Sequence, residues 1–128
     1  MASNILSIFN DQLVQFIDDI INVFPNNADI LTAKNSILLA KKANPKLIIR
    51  IWKEYIVDKY RDQILAGDIN FFINKDYSND LQNNENYSKI ISCIDRLRDP
   101  VKEMTDEDRN KTMKYIQNLT KLIDIYYK

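Results

Sequence analysis

Apolar side chains return every third or fourth residue through the first part of the chain: Leu6, Phe9, Leu13, Phe16, Ile20 and Phe24. At 3.6 residues per turn these positions share one face, so the spacing predicts an amphipathic helix. Pro25 stops it. Asn26, Asn27 and Asp29 are cap candidates for a second helix, in which Ile30, Ala33, Ile37 and Ala40 repeat the pattern toward Ala43. Asn44-Pro45 reads as a cap followed by proline at the first helical position, where its missing N–H costs nothing. The third helix has the clearest division of faces, with Ile48, Ile51, Trp52 and Tyr55 on one side and Lys46, Arg50 and Lys53 on the other. It is expected to kink near Val57-Asp58 and to run through Tyr60 and Ile64 to Gly67, which suits a left-handed C-terminal cap.

Asp68 can cap a short helix holding Ile69, Phe72 and Ile73, and the polar, asparagine-rich stretch 76–86 is predicted to be a flexible loop. Tyr87, Ile90, Ile91, Ile94 and Leu97 restore helical spacing. That helix is expected to end near Asp99, because proline disfavours helical backbone in the residue before it. Thr105, followed by Asp106, Glu107 and Asp108, marks a capped start with acids at the positive end of the helix dipole. Thr112, Ile116, Leu119, Ile123 and Tyr126 then line a last helix. With no internal repeat and no dividing linker, the expectation is all-α: one domain over 1–128, a compact bundle of about five to six helices.

Composition supports this picture. One glycine and three prolines leave too little punctuation for a sandwich or barrel, and 45% hydrophobic with 28% charged residues is globular rather than disordered. The lone cysteine, Cys93, has no partner for an internal disulfide, and the N-terminus shows no targeting pattern. No apolar run approaches the roughly 18 residues that span a bilayer. A soluble, intracellular protein without membrane association is expected, and the Asn-x-Ser/Thr triplets at Asn86, Asn110 and Asn118 are read as chance in an asparagine-rich chain.

Charge sums to zero but is unevenly placed. Residues 1–33 hold Asp11, Asp18, Asp19 and Asp29 and no base, whereas 34–61 hold eight Lys/Arg against Glu54 and Asp58. Neighbouring helices of opposite sign attract weakly, which explains the alternation as packing. The alternative is a patch for an acidic partner, and the candidate binding residues are Lys42, Lys46, Arg50 and Lys53. Trp52 and Tyr55 fall on the apolar face instead of between these bases, which weakens a single-strand stacking interface.

Histidine is absent, which removes Ser-His-Asp and Cys-His nucleophile systems and histidine metal motifs. A single glycine cannot build either familiar nucleotide-phosphate loop. Asp18 and Asp19 point about 100° apart on a helix and do not converge. Asp76, Ser78 and Asp80 imitate a calcium loop but lack its glycine and its terminal glutamate. Cys93 is read as a core residue, as is the aromatic group Trp52, Tyr60, Phe71, Phe72 and Tyr77, for which an interface anchor is the alternative. No catalytic residue, metal or cofactor is assigned.

Several runs in order carry a resemblance: Phe9-Asn10-Asp11-Gln12-Leu13, Asp18-Asp19, Phe24-Pro25, Lys41-Lys42-Ala43-Asn44-Pro45, Trp52-Lys53-Glu54-Tyr55, Tyr60-Arg61, Phe71-Phe72 and Lys75-Asp76-Tyr77. Over roughly residues 9–78 the chain resembles short all-helical proteins of unassigned function encoded by nucleocytoplasmic large DNA viruses. The resemblance implies a viral setting, in the host cytoplasm, the replication factory or the virion. Together these readings lead us to expect a non-enzymatic structural or protein-interaction protein, associated with the virion or its assembly and having a protein partner. The alternative is a nucleic-acid-binding accessory protein using the basic helix face.

Overall fold

The computed structural model describes residues 2–74 and 85–128, with side chains over 4–73 and 89–128. Every regular element among them is helical: α1 (Ala2–Val23), α2 (Ala28–Ala43), α3 (Pro45–Trp52), a π-helical turn (Lys53–Val57), α4 (Asp58–Ala66), α5 (Asn70–Asn74), α6 (Glu85–Lys102) and α7 (Asp106–Tyr126). Because α3, the π turn and α4 follow without a break, the described chain forms a compact six-helix bundle, as the periodicity predicts.

Helix ends follow local chemistry. Of the three cap candidates, Asn27 begins α2: its Oδ1 accepts from the Asp29 and Ile30 amides at 2.9 and 3.2 Å. Asn44 behaves differently from expectation, since its side chain caps nothing. Its amide instead closes α2 onto the Ala40 carbonyl at 2.8 Å, and Pro45 starts α3 without help. Thr105 accepts from the Asp108 amide at 3.2 Å to begin α7. Gly67, at φ 74°, ends α4 in a Schellman motif, with its own amide on Ile64 O and that of Asp68 on Gln63 O. Asp68 then accepts from the Asn70 amide at 3.0 Å, opening α5.

Two further expectations are corrected. The helix after Tyr87 does not end near Asp99; α6 continues through Pro100 to Lys102. Proline forfeits one hydrogen bond there, in the last turn, while the extension carries Val101 and Met104 into the core, 0% and 7% exposed. Burying two such side chains contributes about 3–5 kcal/mol, more than the lost bond costs. The kink expected near Val57-Asp58 is instead a whole π turn over Lys53–Val57, followed by non-helical backbone at Tyr60 (φ −128°). One extra residue in that turn lets Ile51, Trp52, Tyr55, Ile56 and Val57 all be buried, more than one face of a regular helix could hide. Within the predicted loop 76–86, residues 85 and 86 belong to α6, and 76–84 lie outside the described residues.

The core is continuous. α1 supplies Phe9, Leu13, Phe16, Ile17 and Ile20, and α7 runs alongside it with Met113, Ile116, Leu119 and Ile123. α2 pairs in the same way with α6 through Ile30, Ala33 and Ile37 against Ile90, Ile94 and Leu97. α3 touches α1, α2 and α6 and places Trp52 at 1% exposure among them. Asn10, 2% exposed on α1, fixes where α3 begins by donating to the Pro45 carbonyl at 3.2 Å.

Candidate functional site

The four predicted basic residues do not act alike. Lys42 closes α2 and Lys46 opens α3, and both are exposed with no ion pair among the described residues. Arg50 lies 3.3 Å from Glu54. Lys53 lies 2.9 Å from Asp58 and also sits 5.5 Å over the Tyr127 ring. Half of the predicted strip is therefore engaged: Arg50–Glu54 is an i,i+4 pair that spacing shows, whereas the Lys53 contacts depend on the π turn and on where the chain end lies.

The predicted divergence of Asp18 and Asp19 holds. Asp18 pairs with Lys34 of α2 at 2.7 Å, while Asp19 accepts from Tyr115 of α7 at 2.5 Å. Asp19 and Tyr115, with Asp108, Lys111 and Thr112, line an open cleft of about 240 Å³ between α1 and α7. Burial and the hydrogen bond to Asp19 push the Tyr115 hydroxyl up to about 12. That direction holds the proton more tightly, opposite to what a base at neutral pH requires. Among the described residues no group of three or more His, Cys, Asp or Glu could hold a metal ion. Cys93 is 4% exposed, and burial pushes its thiol up while a hydrogen bond with Ser36 pulls weakly the other way. Trp52 and Phe72 are core residues and Phe71 stacks on Tyr60 at 5.2 Å, so these aromatics pack inward; Tyr77 lies outside the described residues.

A surface missed by the core-stripe reading lies on α2. Opposite its buried Ile30, Ala33 and Ile37, this helix exposes Leu31 at 42%, Leu38 at 38% and Leu39 at 70%. Leu31 and Leu38, seven residues apart, share a line along the helix, and Leu39 stands about 100° round from its neighbour. The signal was present in the sequence as leucines off the buried stripe, so that α2 is apolar on both sides.

The groove between α2 and α6 is polar in a directed way. α2 and α6 run antiparallel, so the start of α2 meets the end of α6, where a cleft of about 460 Å³ is lined by Asp29, Asp95, Asp99 and Glu103 with Arg96 and Arg98. Arg96 reaches Asp29 at 3.5 Å and Arg98 reaches Asp95 at 3.0 Å, leaving an acidic excess. At the other end a cleft of about 430 Å³, mainly apolar, is lined by Leu39, Ala40, Ala43, Leu47 and Ile90, with Lys89 on its rim. Lys42 and Lys46 are chain neighbours of two of its lining residues, Ala43 and Leu47. These clefts lie on the α6 side of α2, whereas Leu31 and Leu38 lie toward its α1 side, where Lys34 and Lys41 meet Asp18 and Asp11 at 2.7 and 2.9 Å.

These features define the chain as an all-α bundle that exposes leucines on the outer side of α2. No protein-family model matches it, and neither a curated protein nor a solved structure is detectably similar. No helix among the described residues is long and apolar enough to cross a membrane.

Proposed function

We propose that this protein is a non-enzymatic interaction module that docks another protein on the outer side of α2. The observation that carries the reading is the exposure of Leu31, Leu38 and Leu39 on a helix whose other side is already committed to the core. A row of large exposed apolar side chains rimmed by charge is the surface chemistry of a protein interface. A viral setting, in the host cytoplasm or virion and associated with assembly, belongs to the same proposal and rests on the resemblance over residues 9–78.

The second reading is nucleic-acid binding, favoured by Lys42 and Lys46, which are exposed and form no ion pair among the described residues. It is weakened by the acidic partners of Arg50 and Lys53, because a backbone-binding strip gains affinity from cations that can displace counterions. The two readings separate in one experiment: a photo-crosslinking amino acid is placed at Leu39, and at exposed Lys114 on α7 as control, in the full chain inside cells. Protein adducts from position 39 alone are expected. Absence of protein adducts at 39, together with DNA or RNA retention that weakens steeply with salt, would transfer the function to the basic residues.

A further inference from the structure

We infer that the body of α4, from Arg61 to Ala66, is a hinged strap that opens from α7 as a unit while the bundle stays folded, with the Arg61–Asp124 pair as its latch; the inference stands apart from the docking reading above. Burial is the first argument. Tyr55, Ile56 and Val57 before the strap and Phe71 and Phe72 after it are in the core, whereas among the described residues from Asp58 to Asn70 Ile64 alone is buried. A segment with one buried apolar side chain between two anchored stretches opens at far lower cost than the bundle unfolds.

Backbone breaks mark both ends of the strap. Tyr60 leaves helical geometry at φ −128° and ψ 25°, just after the π turn, and Gly67 stands at φ 74°. Tyr60 stays with the anchored part, because its ring stacks on Phe71 at 5.2 Å. Gly67 can change its dihedrals without a side-chain penalty. These two residues therefore absorb the motion, as hinges at the ends of elements do.

Polar contacts hold the strap shut. Arg61 grips Asp124 of α7 through both Nη atoms, at 2.9 and 2.8 Å, and Gln117 of α7 donates to the Ile64 carbonyl at 2.9 Å. A bidentate guanidinium–carboxylate pair fixes orientation as well as distance. Its two side chains are 40% and 50% exposed, so the latch weakens with salt and yields to a competing anion, whereas the apolar core does neither. Opening uncovers Ile64 and the side of α7 that carries Gln117 and Asp124.

Residue-resolved hydrogen exchange of the full chain under native conditions tests this. The amides of 64–68, which include that of Gly67 on the Ile64 carbonyl and that of Asp68 on the Gln63 carbonyl, are expected to exchange together, about 100-fold or more faster than those in the buried stretches of α1 and α7. Arg61→Gln and Asp124→Asn should each speed them by about threefold to tenfold and the double variant no more than either alone, while added salt should speed the wild type but not the variants. Arg50→Gln, which removes an exposed pair on α3, should leave them unchanged. A double variant no faster than the single ones cannot arise from general destabilisation, whose effects would add. Protection of 64–68 equal to that of α7, or no protection there at all, overturns the strap. Single variants without effect, or effects that add in the double variant, overturn the latch and with it the inference.

Discussion

Replacing Tyr115 with phenylalanine probes the contact that ties α1 to α7. The tyrosine ring stacks on Phe16 with centroids 5.6 Å apart and an interplanar angle of 25°, so Tyr115→Phe retains the packing and deletes only the hydroxyl. That hydroxyl donates to Asp19 at 2.5 Å. Hydrogen bonds to charged groups contribute about 1.5–3 kcal/mol, but this one is half-buried and Asp19 keeps a second donor, Gln15, at 3.3 Å. A loss of about 1–1.5 kcal/mol is expected, read as a lower urea midpoint at unchanged slope.

The pH dependence has a definite sign. With the folded-state value raised from 10 to about 12, the folded chain holds the phenolic proton more tightly than the unfolded chain. The stabilisation is therefore complete below pH 10 and is lost as pH rises through 12. The wild-type advantage over Tyr115→Phe should shrink across that window by about 1 kcal/mol, most of the pH 7 difference, allowing for solvent screening of the half-buried ring. Using the difference between the two proteins cancels the titration of other tyrosines and lysines. Equal stability of the two at pH 7, or a difference that stays flat from pH 9 to 12, would refute the reasoning.

Gly67→Ala should cost about 1 kcal/mol: a Cβ there meets only Gln117 Nε2 at an ordinary 3.8 Å, so the loss is left-handed backbone strain less the entropy removed from the unfolded chain. Thermal unfolding measures it, and no loss would mean that the turn relaxes freely. Leu39→Glu, on the 70%-exposed side of α2, should change stability by no more than about 0.5 kcal/mol, whereas Ile37→Glu, at 3% exposure, should cost about 4 kcal/mol or more. Equal effects would show that α2 does not have one committed and one open side. Cys93 should react with a thiol reagent far more slowly in the native protein than in urea, because burial both blocks access and raises its pKa. Matching rates would contradict its place under α2.

The helical class of this protein was legible from its residues because an amphipathic helix is a local pattern. Phe9, Leu13, Phe16 and Ile20 in α1, and Ile116, Leu119 and Ile123 in α7, announce their burial through spacing alone. Caps were legible for a similar reason: Thr105 and Asp68 need only amides two or three residues away, and Gly67 only its own backbone. Pro100 misled because a rule about one dipeptide ignores what lies beyond it, and the burial of Val101 and Met104 is a tertiary matter. The same limit hid the π turn, through which Tyr55, Ile56 and Val57 are buried one after another.

The candidate surface divides in the same way. Sequence alone placed Lys42, Lys46, Arg50 and Lys53 near one another along the chain, but only folding decided that Lys53 would meet Tyr127, 74 residues away, while Lys42 and Lys46 form no ion pair among the described residues. Leu31, Leu38 and Leu39 were visible as apolar residues, yet which side of α2 would be covered depended on where α6 came to lie. Periodicity determines that a helix has an apolar side, since that follows from 3.6 residues per turn. Which apolar side remains open to a partner is decided by the other helices, because burial belongs to their arrangement and not to any one segment.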